Sequence, residues 1–189
     1  MADVDEGSAL AQRAGGTILV APFDALPAGR LAVVADPSGA SFCLWEPAER
    51  AGAQLINEPG AWAMSALFTP DIEAAKKFYH ALFGWEWDAF AAGAMSATLC
   101  RLPGYFGGEP AQPVPRDVVG VMIELQAGAE SPPHWSVDFW IDDVDAGAAR
   151  AAECGATLLV QPHDASGFRR CVIADPAGAA FTISRAARA

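Results

Sequence analysis

The sequence holds 189 residues, 52% of them hydrophobic and 19% charged, which describes a packed globular chain and excludes a disordered one. Twelve Lys and Arg stand against 23 Asp and Glu, a formal net charge of -11 that argues against nucleic acid and anionic membrane as partners and favours a neutral or cationic small molecule. The opening Met-Ala-Asp-Val-Asp-Glu carries no basic or apolar leader and no apolar run nears membrane-spanning length, so a cytoplasmic location is expected.

In chain order, residues 3–14 predict a helix stopped by Gly15-Gly16. Thr17–Ala21, Arg30–Ala35 and Ser41–Trp45 predict strands, the last two joined by an Asp36-Pro37-Ser38-Gly39 turn. Residues 46–60, rich in Pro, Gly and Ala and without a period, read as a linker. Trp62–Phe68 predicts a strand, and Thr69-Pro70-Asp71 a helix start with Thr69 as N-cap. On that helix Ile72, Ala75, Tyr79 and Leu82 share a face, and Glu73 with Lys77 forms an i,i+4 pair until Gly84 ends it. Trp85–Trp87, Ala94–Leu102 and Val118–Leu125 supply three more strands, with a Gly/Pro-rich loop at 103–116 before the last. His134–Ile141 alternates as a strand, and Val144–Cys154 predicts the next helix.

From Asp143 the chain repeats its own beginning. Asp3-Val4-Asp5 recurs as Asp143-Val144-Asp145, 140 residues on, and Val33–Phe42 recurs as Val172–Phe181, 139 residues on. A similarity this long at a nearly fixed period signals a duplicated structural unit. Three units follow: 1–45, α-β-β-β and lacking a leading strand; 61–125; and 134–184, the last two both β-α-β-β-β. The fold class expected is α+β, built of tandem βαβββ units whose last two pair into a curled mixed sheet around a concave site, with 61–189 as the complete domain. Cys43, Cys100, Cys154 and Cys171 are scattered without CxxC or zinc spacing and are expected as buried free thiols.

The tandem β-α-β-β-β order resembles the vicinal oxygen chelate superfamily of glyoxalase I, bleomycin-resistance proteins and extradiol dioxygenases. So do the Phe78-Tyr79…Leu82-Phe83-Gly84-Trp85 helix end, the Asp-Val-Asp helix starts and the two Asp-Pro-x-Gly turns. The linker Gly52–Gly60 is similar to the joint of two-domain members labelled glyoxalase-like or putative hydroxylase. The resemblance implies that unit 1–45 completes itself with another subunit, as a homodimer, or that the chain is a shortened form of a longer protein. It also implies metal ligands on the first and last strands, which fall at Met64, Ser136 and Thr182, with Cys43 as the echo in the first unit. None of Met64, Ser136 and Thr182 is a good ligand for a divalent metal, so no cofactor is expected. A divalent metal held by His134 and Glu124 is the alternative, since a slip of two residues in a strand keeps side chains on one face.

Strand alternation puts Ser136, Asp138 and Trp140 on one face of their strand and Trp135 and Phe139 on the other, the core face. Trp62, Met64, Ala66, Phe68 and Thr182 are expected beside the first set, forming an apolar, roomy ligand site. Asp138 is an acid in an otherwise apolar strand. Its two readings are a general base of raised pKa and a pocket-edge acid paired with Arg169 or Arg170. Arg30 and Arg169 each precede a turn Asp by six residues and read as structural salt bridges; His80 and His163 carry no expected function. The chain thus reads as a metal-independent small-molecule-binding protein. The alternatives are a metal-dependent lyase, dioxygenase or hydroxylase of the same superfamily, and a non-catalytic assembly module.

Overall fold

A computed structural model describes residues 1–92, 95–107, 116–129 and 131–186. In chain order it runs α1 (Val4–Arg13), β1 (Thr17–Ala25), β2 (Gly29–Ala35), β3 (Ser41–Pro47), β4 (Trp62–Thr69), α2 (Ile72–Phe83), β5 (Glu86–Ala92), β6 (Met95–Arg101) and β7 (Val118–Glu124). The remainder is β8 (His134–Trp140), α3 (Val144–Glu153), β9 (Thr157–Ala165), β10 (Phe168–Ala174) and β11 (Ala180–Ala186). Strands β1-β2-β3 form one small antiparallel sheet, and β5-β6-β7-β4-β8-β11-β10-β9 form a mixed eight-stranded sheet. The α+β class and the tandem units are therefore as the sequence indicates. Ala94 and most of the 103–116 loop lie outside the described residues.

Each helix starts on an aspartate. Asp3, Asp71 and Asp143 accept from the backbone N–H of Glu6, Ala74 and Ala146, satisfying one of the first-turn donors that a helix leaves unpaired. Asp71, not Thr69, thus caps α2; Thr69 is the buried last residue of β4, and its hydroxyl accepts from the Asp71 N–H. Gly84 closes α2 with φ of 68°, a left-handed cap that a side chain would disfavour. The exposed ion pair on α2 is Glu73–Lys76, one residue closer than the i,i+4 spacing.

The two β-α-β-β-β units meet where β4 pairs β8 antiparallel, with Met64 opposite Asp138, Ala66 opposite Ser136 and Phe68 opposite His134. Each leading strand then takes the last strand of its own unit as a parallel neighbour, β4 with β7 and β8 with β11. Parity sends Leu67, Cys100, Met122 and Trp135 to the face covered by α2, which contributes Ala75, Phe78, Tyr79 and Leu82. Under α3, Val144 and Ala148 meet Cys171, Ile173 and Ile183. Both helices cover the same side of the sheet, and the other side is left concave. Burial pushes the Cys100 thiol up to about 12, whereas Cys43 and Cys154 are exposed, contrary to the expectation of four buried thiols.

The first unit shares one core with the second. Val4, Ala11, Ala32, Val34, Ala40 and Leu44 belong to the same buried cluster as Leu67, Phe78 and Tyr79. Phe42 packs edge-on against Phe78 with centroids 6.2 Å apart. The hydroxyl of fully buried Tyr79 donates to Asp36 Oδ2 (3.1 Å) and accepts from Trp135 Nε1 (2.8 Å), so one atom ties the first unit's turn to α2 and β8. Burial, then the Asp36 charge, drives the phenol's pKa upward and keeps that donor protonated.

The duplication extends to detail. Arg30 bridges Asp5 and Asp24, and its copy Arg169 bridges Asp145 and Asp164. The Met1 amine donates to Trp45 O, the same rung that Ile141 N makes with Ser184 O. Leu19, Val20, Phe23 and Leu26 on β1 and the following turn are exposed.

Candidate functional site

The concave face of the large sheet encloses a cavity of about 150 Å³. Register builds its floor: Leu99, Val121, Ala66 and Ser136 stand in one row across β6, β7, β4 and β8, and Met64, Asp138 and Thr182 stand in the next across β4, β8 and β11. The ends of the curled sheet supply walls, Phe90 from β5 and Phe168 from β10, with Phe168 edge-on to Trp140 at 6.5 Å. Phe68 and Ile123 close one side.

Of the positions the sequence picks out, Met64, Ala66, Phe68, Ser136, Asp138, Trp140 and Thr182 line this cavity. Trp62 does not. The β4–β8 register slips between Trp62 and Met64, so Trp62 stands opposite Phe139 on the far face, donates to Ser65 Oγ (3.0 Å), and Ala63 takes a place in the lining. Phe139 is on its expected face but 37% exposed, packed edge-on to Phe181 and not buried in the core.

The fallback metal pair is not in the cavity. His134 stacks on Phe68 with centroids 4.9 Å apart, and its Nδ1 lies 2.8 Å from Pro132 O. Glu124 is exposed at the end of β7, where Ile123 is the residue facing the cavity. Among the described residues no three of His, Cys, Asp or Glu converge on a point that could hold a metal. The inward positions offer one carboxylate, two hydroxyls and a thioether, a donor set that does not fit a divalent ion. His80 and His163 bond backbone carbonyls, of Trp85 at 2.9 Å and Gln161 at 3.0 Å, outside the cavity.

The polar corner consists of Asp138, Arg170 and Ser184. Ser184 Oγ donates to Asp138 Oδ2 (2.9 Å), and Arg170 Nη2 lies 3.5 Å from the same oxygen. Of the two arginines weighed as partners it is Arg170 that faces Asp138, while Arg169 holds Asp145. Asp138 Oδ1 is buried with no hydrogen-bond partner among the described residues. Burial raises the Asp138 pKa, against the opposing Ser184 hydrogen bond and Arg170 charge. Arg170 and Ser184 escaped the sequence reading, yet the repeat marks them: their counterparts in the first unit, 139 residues back, are Leu31 and Trp45. Leu99, Val121 and Ile123 follow from alternation in β6 and β7 once the concave face is known.

A carboxyl whose folded pKa lies above its unfolded value, near 3.9, favours folding below that value and loses the contribution as pH rises through the folded pKa. Asp138→Asn removes this titration. The melting temperature of the variant relative to wild type is therefore expected to shift upward as pH is raised from about 4 to 7. A difference that stays flat across that range in thermal melts would show that Asp138 titrates as it does in the unfolded chain.

Comparison with known proteins agrees with this architecture. A family model described as Glyoxalase-like domain matches residues 63–184. The anthracycline biosynthesis protein DnrV of Streptomyces peucetius is 34% identical over 182 residues, covering 95% of this chain and 62% of the relative. The putative glyoxylase CFP32 of Mycobacterium tuberculosis is 34% identical over 176 residues, covering 92% and 62%. The chain thus spans about three-fifths of the length of these relatives. Among solved structures, the Mn(II)-bound glyoxalase from Novosphingobium aromaticivorans superposes with a TM-score of 0.58 at 19% identity, over 96% of this chain and 58% of that one. The 2,3-dioxygenase LapB from Pseudomonas sp. KL28 gives 0.57 at 14% identity, over 96% and 66%. At such identities the superpositions speak for the fold alone. With the family match covering more than half of its length, the chain belongs to the glyoxalase-like family of the vicinal oxygen chelate superfamily.

Proposed function

We propose that this protein binds a flat, mostly apolar small molecule in the concave cavity, and does so without a metal. The observation that carries the reading is the lining itself. Met64, Ala66, Phe68, Leu99, Val121 and Trp140 present hydrocarbon and aromatic faces, and the positions where metal ligands would stand hold Met64, Ser136 and Thr182. Such a surface gains binding energy from excluding water from a ring system, with one polar corner to orient it. Relatives described as anthracycline biosynthesis proteins support a polycyclic aromatic ligand class.

A ligand that binds only the folded state raises stability by mass action, about 2.7 kcal/mol at a hundred times its Kd. Chelator-treated protein is therefore expected to melt higher with naphthalene and to be unmoved by Zn²⁺, Ni²⁺, Mn²⁺ or Fe²⁺ added singly. A large rise with one of those metals would overturn the metal-free reading in favour of a metal-dependent lyase, dioxygenase or hydroxylase. No response to naphthalene would remove the apolar-ligand reading.

A further inference from the structure

We propose that the cavity transfers a proton at a carbon next to a carbonyl group of a flat apolar ketone, with Asp138 Oδ1 as the base and the Arg170 guanidinium holding the carbonyl oxygen. The proposal rests on the reading of the cavity as a small-molecule site and adds an activity to it.

Two independent observations carry it. The first is the free oxygen. Asp138 Oδ2 is engaged by Ser184 and Arg170, but Oδ1, buried in the wall of the cavity, has no partner among the described residues. A buried acceptor left unpaired is unfavourable, and a residue kept only for packing would not retain one. The second is the break in the repeat. Where the first unit has Leu31, this unit has Arg170, and the exchange places a cation in the cavity beside the one carboxylate there. A base and a fixed positive charge that share one corner of an apolar site match the two charge changes of enolisation.

The step balances without a further reagent. The C–H bond next to the carbonyl breaks and an O–H bond forms at Asp138 Oδ1. The C–H electron pair becomes the new C=C bond, and the carbonyl π pair moves onto the oxygen, where Arg170 meets the negative charge. Return of the proton from Oδ1 to the same carbon gives exchange, and to a conjugated carbon gives isomerisation. Trp140 and Phe168 stand where they can flank the ring.

The test uses 2-tetralone, whose C1 protons lie between an aromatic ring and a carbonyl, with naphthalene as the ligand that cannot enolise. In D₂O near neutral pH, loss of the C1 proton signal by NMR is expected to run about a hundredfold faster than in buffer. Asp138→Asn is expected to return exchange to the buffer rate while 2-tetralone still binds, and Arg170→Leu, which restores the first unit's residue, to slow exchange more than it weakens binding. The pH profile supplies a readout that a structural role would not move. Around Asp138, β10 contributes Arg170 and β11 contributes Ser184, whereas β4 places uncharged Met64 opposite it. Ser184→Ala removes a hydrogen bond that holds the carboxyl down, so the midpoint of exchange should move to higher pH. Wild-type protein that binds 2-tetralone without speeding exchange would overturn the activity and leave the binding reading standing, as would an Asp138→Asn variant that exchanges like wild type. Failure of both naphthalene and 2-tetralone to bind would remove the binding reading and the activity together.

Discussion

Replacing Tyr79 by phenylalanine is expected to lower the free energy of unfolding by about 2–4 kcal/mol, although the change deletes a single oxygen. That oxygen donates to Asp36 Oδ2 and accepts from Trp135 Nε1, all three groups packed between the first unit, α2 and β8. Phenylalanine fills the same space and keeps the ring contacts with Phe42, Phe78 and Trp85, so no cavity contributes to the loss. What remains is a carboxylate oxygen and an indole N–H stripped of their shared partner, each costing about 1–3 kcal/mol when buried. Urea unfolding followed by tryptophan fluorescence measures the effect, with the slope unchanged if the native fold persists. A loss under about 1 kcal/mol would mean that water replaces the hydroxyl and that the junction between the units is wet.

Ala66→Phe acts on the other face of the same sheet. Ala66 lies at the centre of the cavity floor, between Val121 and Ser136 in the register, and a phenyl ring rooted there occupies the space a ligand would take. Binding of naphthalene is expected to weaken roughly tenfold or more, at least about 1.4 kcal/mol. Stability should hold or rise, because the ring enters vacant space and displaces no packed group. Titration and thermal melts on the same sample separate the two effects. Unchanged affinity would place the ligand somewhere other than this cavity, whatever the behaviour of Asp138.

Much of the architecture was legible because the chain carries its unit more than once. Asp-Val-Asp helix starts, the Asp-Pro-x-Gly turns and the alternation of β8 each recur or follow a simple period, and they set the elements to within a few residues. The face of Asp138 followed from parity alone. What parity could not give was the slip at Trp62, since a one-residue irregularity in pairing turns a side chain to the opposite face without any mark in the sequence. Thr69 and Asp71 are both good caps, and only the backbone turn at Asp71 decides between them. Glu124 failed as a candidate for a similar reason: in an alternating strand its neighbour Ile123 takes the inward position. Arg170 and Phe90 reach the cavity from strands far from β8 in the sheet order, and no local pattern announces a contact created by curvature.

The two copies of the turn have come to bear different obligations. Asp175 accepts from the N–H groups of Ala177 and Ala179 within its own loop, whereas Asp36 performs the same service for Ser38 and Ala40 and also anchors Tyr79. Random substitution therefore meets unequal resistance at the two places. A change at 175 disturbs one loop, but the same change at 36 loosens the seam between two units, so the outer copy is free to drift and the inner one is held near its ancestral form.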